Sequence, residues 1–246
     1  MKILAIDSSG MTAGIALLED YKLAAEYNVN YKKTHSQTLL PMLDEIRKIT
    51  ELDLESVDYI AVAAGPGSFT GLRIGSATAK GLGLALGKPL VEVPTLEGLA
   101  CCVWEADGII CPMMDARRDQ VYTGLYRFEA DDGCAWGRKL VTVHEQCAVP
   151  VAGIVEKINE IGEPVIFLGD GADAYAQEIR ETVQVSFRFA PPSANAQRGA
   201  CVAVRALDLI REGKIVTAQS HRPEYLRVSQ AERERAAKKA AEKERE

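Results

Sequence analysis

Three short segments of this chain carry residue types and spacings that suit phosphate chemistry. Gly65-Pro66-Gly67-Ser68-Phe69-Thr70-Gly71 follows an apolar run, Tyr59–Ala63, and leads into a long helix-forming segment. A glycine-rich turn between a strand and a helix is where backbone N–H groups meet an anion. The segment lacks the G-x-x-x-x-G-K-[ST] pattern of a phosphate loop, and Gly87-Lys88 runs into Pro89. Its G-x-G-x-x-x-G spacing is one residue off the dinucleotide fingerprint, with Glu92 near the end of the next strand, but three strands precede it. A tight structural turn needs the same glycines. Asp7-Ser8-Ser9-Gly10-Met11-Thr12 places an acid at a strand end before small hydroxylated residues. That suits a metal-phosphate turn, and equally a hairpin whose Asp caps its own loop. Gly169-Asp170-Gly171-Ala172 is the matching candidate in the second half.

Other chemistries find less support. The three histidines, His35, His144 and His221, form no H-x-x-x-H or H-E-x-x-H pair. There is no G-x-S-x-G nucleophile elbow. His35, just before Ser36-Gln37-Thr38, belongs to a helix start. Asp115, Arg117, Arg118 and Asp119 form a charged turn after a strand, where the two arginines could meet a carboxylate or phosphate. Six cysteines, at 101, 102, 111, 134, 147 and 201, include no C-x-x-C pair and are expected as reduced packing residues in a cytoplasmic protein.

The elements that must position these residues repeat. Strands are expected at Lys2–Asp7, Thr12–Leu18 and Leu23–Asn30, then a helix at Ser36–Ile49 and a strand at Val57–Ala63. A helix at Phe69–Leu86, a strand at Leu90–Val93 and a helix at Thr95–Glu105 follow. The second half gives strands at Ile109–Asp115, Val121–Phe128 and Lys139–Val143, a helix at Val151–Ile161 and a strand at Val165–Leu168. A helix at Ala172–Glu181, a strand at Gln184–Phe189 and a helix at Ala196–Arg211 complete it. The order β-β-β-α-β-α-β-α occurs twice, which points to two α/β lobes with mixed sheets and a cleft between them. With 246 residues, 47% of them apolar and 26% charged, the chain reads as a globular protein, and its net charge of −6 argues against a general nucleic-acid binder. Its N-terminus passes straight into Asp7, as a first strand rather than a leader, and no apolar run reaches the ~18 residues of a membrane span. Ser229–Glu246 carries six basic and five acidic residues without an apolar face, and is expected as a solvated helical or disordered tail.

The segment after the first glycine turn is unusual. Gly71, Gly75, Ala79, Gly83 and Gly87 recur every four residues and form one drifting stripe on a helix. Each interior glycine costs ~1 kcal/mol against alanine, and close approach of another backbone offsets that. The approaching backbone is either the chain's own sheet or a neighbouring subunit. In the preceding helix Leu39, Leu40, Met42, Leu43, Ile46 and Ile49 spread over about half the circumference, wider than a sheet-covering helix requires. Two adjacent over-provided helices point to a helix–helix interface.

Together these residues resemble a known family. IDSSGMTAGIAL, HSQTLLPML, the run AVAAGPGSFTGLRIGSATAKGLGLALGKPLVEVPTLEGLA, DARRDQVY and PEYLR look like the bacterial TsaB (YeaZ) family, most specifically from Met1 to about Ala100. The resemblance implies the actin-like ASKHA (RNase H-like) α/β fold, with an N-terminal lobe over 1–106, a C-terminal lobe over 107–227 and the charged tail from 228. It implies a cytoplasmic, non-catalytic scaffold in the synthesis of N6-threonylcarbamoyladenosine (t6A) beside the tRNA anticodon. The implied partners are TsaD, a paralogue that performs the transfer, and the ATPase TsaE, with tRNA reached through the complex. A homodimer of the isolated chain is compatible with the same surface, and no membrane is involved. Partner-facing residues are then expected at Leu39, Leu43, Ile46, Gly71, Leu72, Gly75, Ala79 and Leu82. Where TsaD carries N-H-M-E-G-H, with two metal-binding histidines, this chain has Pro94-Thr95-Leu96-Glu97-Gly98-Leu99. Thr95 and Leu99 stand in for the two histidines, and neither suits a transition metal. No metal, cofactor or catalytic residue is expected. Asp7, Ser8, Ser9, Gly169, Asp170 and Gly171 keep the positions of a vestigial nucleotide site. The alternative to a scaffold is an ATP-binding phosphotransferase built on them.

Overall fold

The first apolar run forms β1 (Lys2–Asp7) in this computed structural model, which describes residues 1–31, 33–104, 106–134 and 136–227. Its side chains alternate between two cores. Leu4 and Ile6 enter one, Ile3 and Ala5 the other, as the two-residue period of a doubly covered strand demands. β2 (Thr12–Glu19) and β3 (Lys22–Asn30) extend the sheet antiparallel on one side. β4 (Tyr59–Gly65) and β5 (Leu90–Pro94) add in parallel on the other, in the order β3-β2-β1-β4-β5. Parallel neighbours need crossovers, and α1 (His35–Ile49) and α2 (Phe69–Leu86) are elements of these connections. The second half repeats the plan. β6 (Ile109–Asp115), β7 (Val121–Ala130), β8 (Arg138–Val149), β9 (Val165–Leu168) and β10 (Phe187–Phe189) pair in the order β10-β9-β6-β7-β8. α4 (Val151–Ile161), α5 (Asp170–Ala174) and α6 (Ala176–Thr182) cover one face. The duplicated, two-lobed α/β fold of the actin-like ASKHA class is therefore present.

The last helix of each half crosses over. α3 (Thr95–Ala100) places Leu96, Leu99 and Ala100 against Ile110, Met114, Ile166 and Leu168 of the second sheet. α7 (Gly199–Arg211) places Val202, Ala203, Ala206 and Leu209 against Ile3, Ala5, Ala61 and Val91 of the first. A boundary at 106/107 thus separates the sheets but not the cores. The exchange is pinned where α3 meets α7: Arg205 Nε donates to Glu97 Oε2 at 2.6 Å, and its Nη1 lies 3.4 Å from Asp208 Oδ2. Burial pulls on the Arg205 guanidinium, but Glu97 outweighs it and the group stays firmly protonated; burial raises the Asp208 carboxyl.

Some boundaries differ from the sequence pattern. The helix expected over Ala172–Glu181 starts at Asp170 and breaks at Tyr175, whose backbone (φ −110°, ψ 20°) leaves the helical region. α7 begins at Gly199, after a 3₁₀ turn at Pro192–Ala194, because Asn28 accepts from Gly199 N and Glu26 from Ala200 N. α3 stops at Ala100 and passes into a 3₁₀ turn, Cys101–Val103. β8 runs on to Val149, and β10 is only three residues long. No helix of the described residues is long and apolar enough to cross a membrane. The expected tail lies outside the described residues.

Candidate functional site

The glycine stripe of α2 faces inward. A Cβ on Gly71 would lie 2.1 Å from Ser8 O, and one on Gly75 2.4 Å from Ser8 Oγ. One on Gly83 would lie 2.5 Å from Leu90 Cδ1, and Ala79 is fully buried. Ser8 Oγ donates to Gly71 O at 2.9 Å, so the helix is seated on the β1–β2 turn. Gly87 is not part of this contact; its φ of +64° ends the helix. The expected partner-facing set is corrected accordingly. Leu39, Leu43, Ile46, Gly71, Leu72, Gly75 and Ala79 are all buried in the chain's own first lobe, and only Leu82 is half-buried. The close backbone is that of the chain's own turn and strands.

The opposite side of α2 carries a second series that the sequence reading passed over. Ala77, Gly81 and Ala85 also recur every four residues and are exposed, and a Cβ on Gly81 would meet nothing within 4 Å. Leu84 beside them is 53% exposed, and Leu40 and Ile49 of α1 are 56% and 74% exposed. Both stripes were visible as four-residue repeats. The one that starts in the glycine turn must pack on what the turn packs on, which leaves the other free.

The three phosphate-like turns and the start of α1 meet at a cleft of about 350 Å³ between the lobes, lined by Ser9, Gly10, His35, Gly67, Ser68, Asp115, Arg117 and Asp170. Asp7 is buried at the end of β1, and its Oδ1 accepts from Ser9 N at 2.8 Å and Ser9 Oγ at 2.6 Å. Burial pushes its carboxyl up to about 6 despite those bonds and the nearby His35. Asp7 therefore caps its own hairpin loop, the second of the two roles its sequence allowed. His35 is the first residue of α1, and its Nε2 donates to Gly10 O at 2.9 Å.

Three N–H groups of the glycine turns are occupied within the chain. Ser68 N donates to Ser9 O at 2.7 Å, Gly65 N to Thr95 Oγ1 at 3.1 Å, and Gly169 N to Asn195 Oδ1 at 2.7 Å. A Cβ on Gly67 would lie 2.4 Å from Ser9 O and one on Gly169 2.1 Å from Met113 O. These glycines serve close backbone packing. Asp115 and Asp170 make one wall of the cleft acidic, and burial raises the Asp170 carboxyl, helped by Asp115. The structure thus brings Ser9 and Asp170 to one cleft, ties the buried Asp7 to Ser9, sends Ser8 into α2, and leaves Gly169 and Gly171 against Met113–Asp115. No group of three or more His, Cys, Asp or Glu able to hold a metal occurs among the described residues.

The Thr95–Leu99 segment is fully committed to structure. Thr95 is buried, and its Oγ1 is the acceptor for Gly65 N. Leu99 is 1% exposed in the second core, and a Cβ on Gly169 would lie 3.1 Å from its Cδ2. Glu97 holds Arg205, and Gly98 lets α7 approach through Val202.

Known proteins share this arrangement. A family model described as TsaD, tRNA N6-adenosine threonylcarbamoyltransferase, matches residues 24–235. The tRNA threonylcarbamoyladenosine biosynthesis protein TsaB of Bacillus subtilis (strain 168) is 35% identical over 232 residues, 94% of this chain and 96% of its own length. The TsaB protein of Escherichia coli (strain K12) is 30% identical over 92% of this chain and 95% of its own. The solved structure of YeaZ from Pseudomonas aeruginosa superposes with a TM-score of 0.72 at 25% identity, covering 92% of this chain and 99% of that one. With relatives at this identity running nearly end to end, and a structural neighbour covering the same extent, the chain belongs to the TsaB (YeaZ) family, within the wider TsaD-type family.

Proposed function

We propose that the chain is a cytoplasmic, non-catalytic scaffold for t6A modification of tRNA, which binds TsaD and, with TsaE, holds it in its active state. The observation that carries this reading is the pair Thr95 and Leu99. In the frame where the paralogue places two metal-binding histidines, one side chain is spent on Gly65 N and the other fills the second core. Neither has a ligand atom free for a transition metal, so the chemistry belongs to another subunit. The interface is assigned to the outer faces of α1 and α2, where Ala77, Gly81 and Ala85 allow close helix approach and Leu40 and Leu84 supply apolar area. A paralogue of the same fold meets such a face through a pseudo-two-fold contact, and a second copy of this chain would meet it through a true one.

Gly81→Arg places a long cation on this face without touching the lobe interior. Tagged TsaD is expected to retain the native chain and to lose the variant, whose circular dichroism stays native. A reconstituted modification assay is expected to lose t6A when the chain is omitted or replaced by the variant. Retention of Gly81→Arg by TsaD at native yield refutes the interface, and full t6A formation without the chain refutes the function.

A further inference from the structure

Arginines gather beside the interlobe cleft, which Arg117 lines. After α7 the chain returns as a strap. Val216 pairs with Leu90, Lys80 Nζ donates to His221 O at 3.2 Å, and Glu224 N donates to Ala64 O at 2.7 Å. The strap then passes to the second lobe, where Gln146 donates to the Glu224 carboxylate at 2.7 Å and Arg227 Nη1 donates to Ala116 O at 2.7 Å. The turn that Arg227 braces is strained: Arg117, Arg118 and Asp119 have φ values of 62°, 60° and 56°. It is held by Asp115 Oδ1, which accepts from Arg117 N at 2.8 Å, and by a 3.0 Å bond from Ala116 N to Gln120 O. Its effect is to turn two adjacent arginines into solvent, and the Arg117 side chain is 85% exposed.

Aromatic rings lie beside these cations. Tyr225, two residues before Arg227, is exposed and lies 4.9 Å from Phe69 at the head of α2. The Arg73 guanidinium carbon is 3.9 Å from the centre of the Phe69 ring. Two residues of chain span at most ~7 Å, so the rings and the arginines form one ridge. Among the described residues Arg73, Arg118 and Arg227 have no carboxylate within 4.0 Å, and Arg117 has only the half-buried Asp115 at 3.2 Å. All four are arginines, whose planar fork suits phosphate. They stand on a chain of net charge −6, beside a cleft lined by Asp115 and Asp170. An RNA backbone is attracted along the ridge and repelled from the cleft.

We propose that this ridge is an RNA-binding surface, with Arg73, Arg117, Arg118 and Arg227 taking backbone phosphates and Tyr225 offering its face to an unstacked base. The identity of that RNA as tRNA rests on the function proposed above. The substitutions that test it, at Arg117, Arg118 and Tyr225, lie outside α1 and α2, so the test is independent of TsaD.

The test is fluorescence anisotropy of labelled unmodified tRNA with the full chain, across a fourfold range of monovalent salt. Arg117→Asn/Arg118→Asn removes two charges and suits the left-handed backbone; Tyr225→Ala removes the stacking face. Each backbone cation adds about 0.7–0.9 to the salt slope, so over that range the native chain should lose about tenfold more affinity than the double variant. Tyr225→Ala should weaken binding with an unchanged salt slope, as loss of base stacking requires. TsaD co-purification should stay native in all three proteins. No tRNA binding by the native chain, or equal affinity and slope in native and double variant, overturns the assignment. Displacement of tRNA by poly-glutamate at equal charge concentration also overturns it, in favour of an acidic protein surface. Loss of TsaD binding by the native chain would instead overturn the scaffold function and leave the RNA measurement standing.

Discussion

Alanine at Gly71 and alanine at Gly81 should change stability in opposite directions, although both replace a glycine of the same helix. At Gly81 a methyl group meets nothing within 4 Å. Only the helix propensity changes, by about 1 kcal/mol in favour of alanine. For a protein of this size that is about 2–4 °C in Tm. At Gly71 the same gain is opposed by a Cβ placed 2.1 Å from Ser8 O, a backbone atom that cannot rotate away. Relief requires α2 and the β1–β2 turn to separate by more than an ångström. That would break the 2.9 Å bond from Ser8 Oγ to Gly71 O and the 2.7 Å bond from Ser68 N to Ser9 O. Overpacking costs about 1–3 kcal/mol, and each buried bond lost adds about 1. Net of the propensity gain, Gly71→Ala should lose roughly 2–4 kcal/mol, a fall in Tm on the order of 10 °C. Calorimetry on the two variants and the native chain measures both signs. A Gly71→Ala variant as stable as the native chain would show that α2 does not rest on this turn. A destabilised Gly81→Ala would show that its outer face is already covered.

Two further variants probe buried charges. Folding raises the Asp7 carboxyl from 3.8 to about 6, so between those values the native state holds a proton that the unfolded chain has released. Stability from this group is complete below about pH 4 and is lost as pH rises through about 6, by roughly 3 kcal/mol. Asp7→Asn should therefore gain on the native chain by up to that amount between pH 4 and pH 7.5 in urea unfolding; a difference that stays constant with pH contradicts the burial argument. Arg205→Met strands Glu97 and Asp208 between α3 and α7 and should cost about 3–5 kcal/mol. Adding Glu97→Gln should recover part of that loss, and strictly additive losses would show that the two residues are not coupled.

Most elements were legible because their periods are unambiguous. β1 and β4 are short apolar runs bounded by turn residues, and α4 keeps Val151, Ile154, Val155 and Ile158 on one buried face. The duplicated order of elements was enough to give two α/β lobes with mixed sheets, and the resemblance supplied the ASKHA class. Long-range choices were not legible. The pattern of α7 shows an apolar face but not which sheet it covers, because both sheets offer aliphatic faces of the same kind; only the three-dimensional crossing decides it. The inward stripe of α2 was read correctly as a close-approach surface, but its neighbour was decided by Ser8, a residue distant in sequence whose role no local pattern announces. The break at Tyr175 and the strap from Val216 to Arg227 depend on partners such as Leu90, Phe69 and Ala116 that sequence spacing does not reveal.

The Thr95–Leu99 segment is a structural joint between the lobes. Its five residues begin at the end of β5 and face both lobes. Thr95 ties the start of α3 to Gly65, the residue that starts the glycine turn, so the turn's first N–H is satisfied from within the chain. Glu97 holds the helix that has crossed from the other half, and Gly98 lets that helix approach. Leu99 fills the space beneath Gly169, where the second lobe's own turn comes closest. Each residue now serves a contact that a metal ligand would break. A histidine at 99 would put a polar ring into a core position that is 1% exposed, with Gly169 already at packing distance from the leucine. Burial of an unpartnered polar group there carries a penalty of about 1–3 kcal/mol. A histidine at 95 would remove the acceptor of Gly65 N. Histidines at both positions would thus weaken the joint between the lobes. That supports the proposed role of this chain as a partner surface.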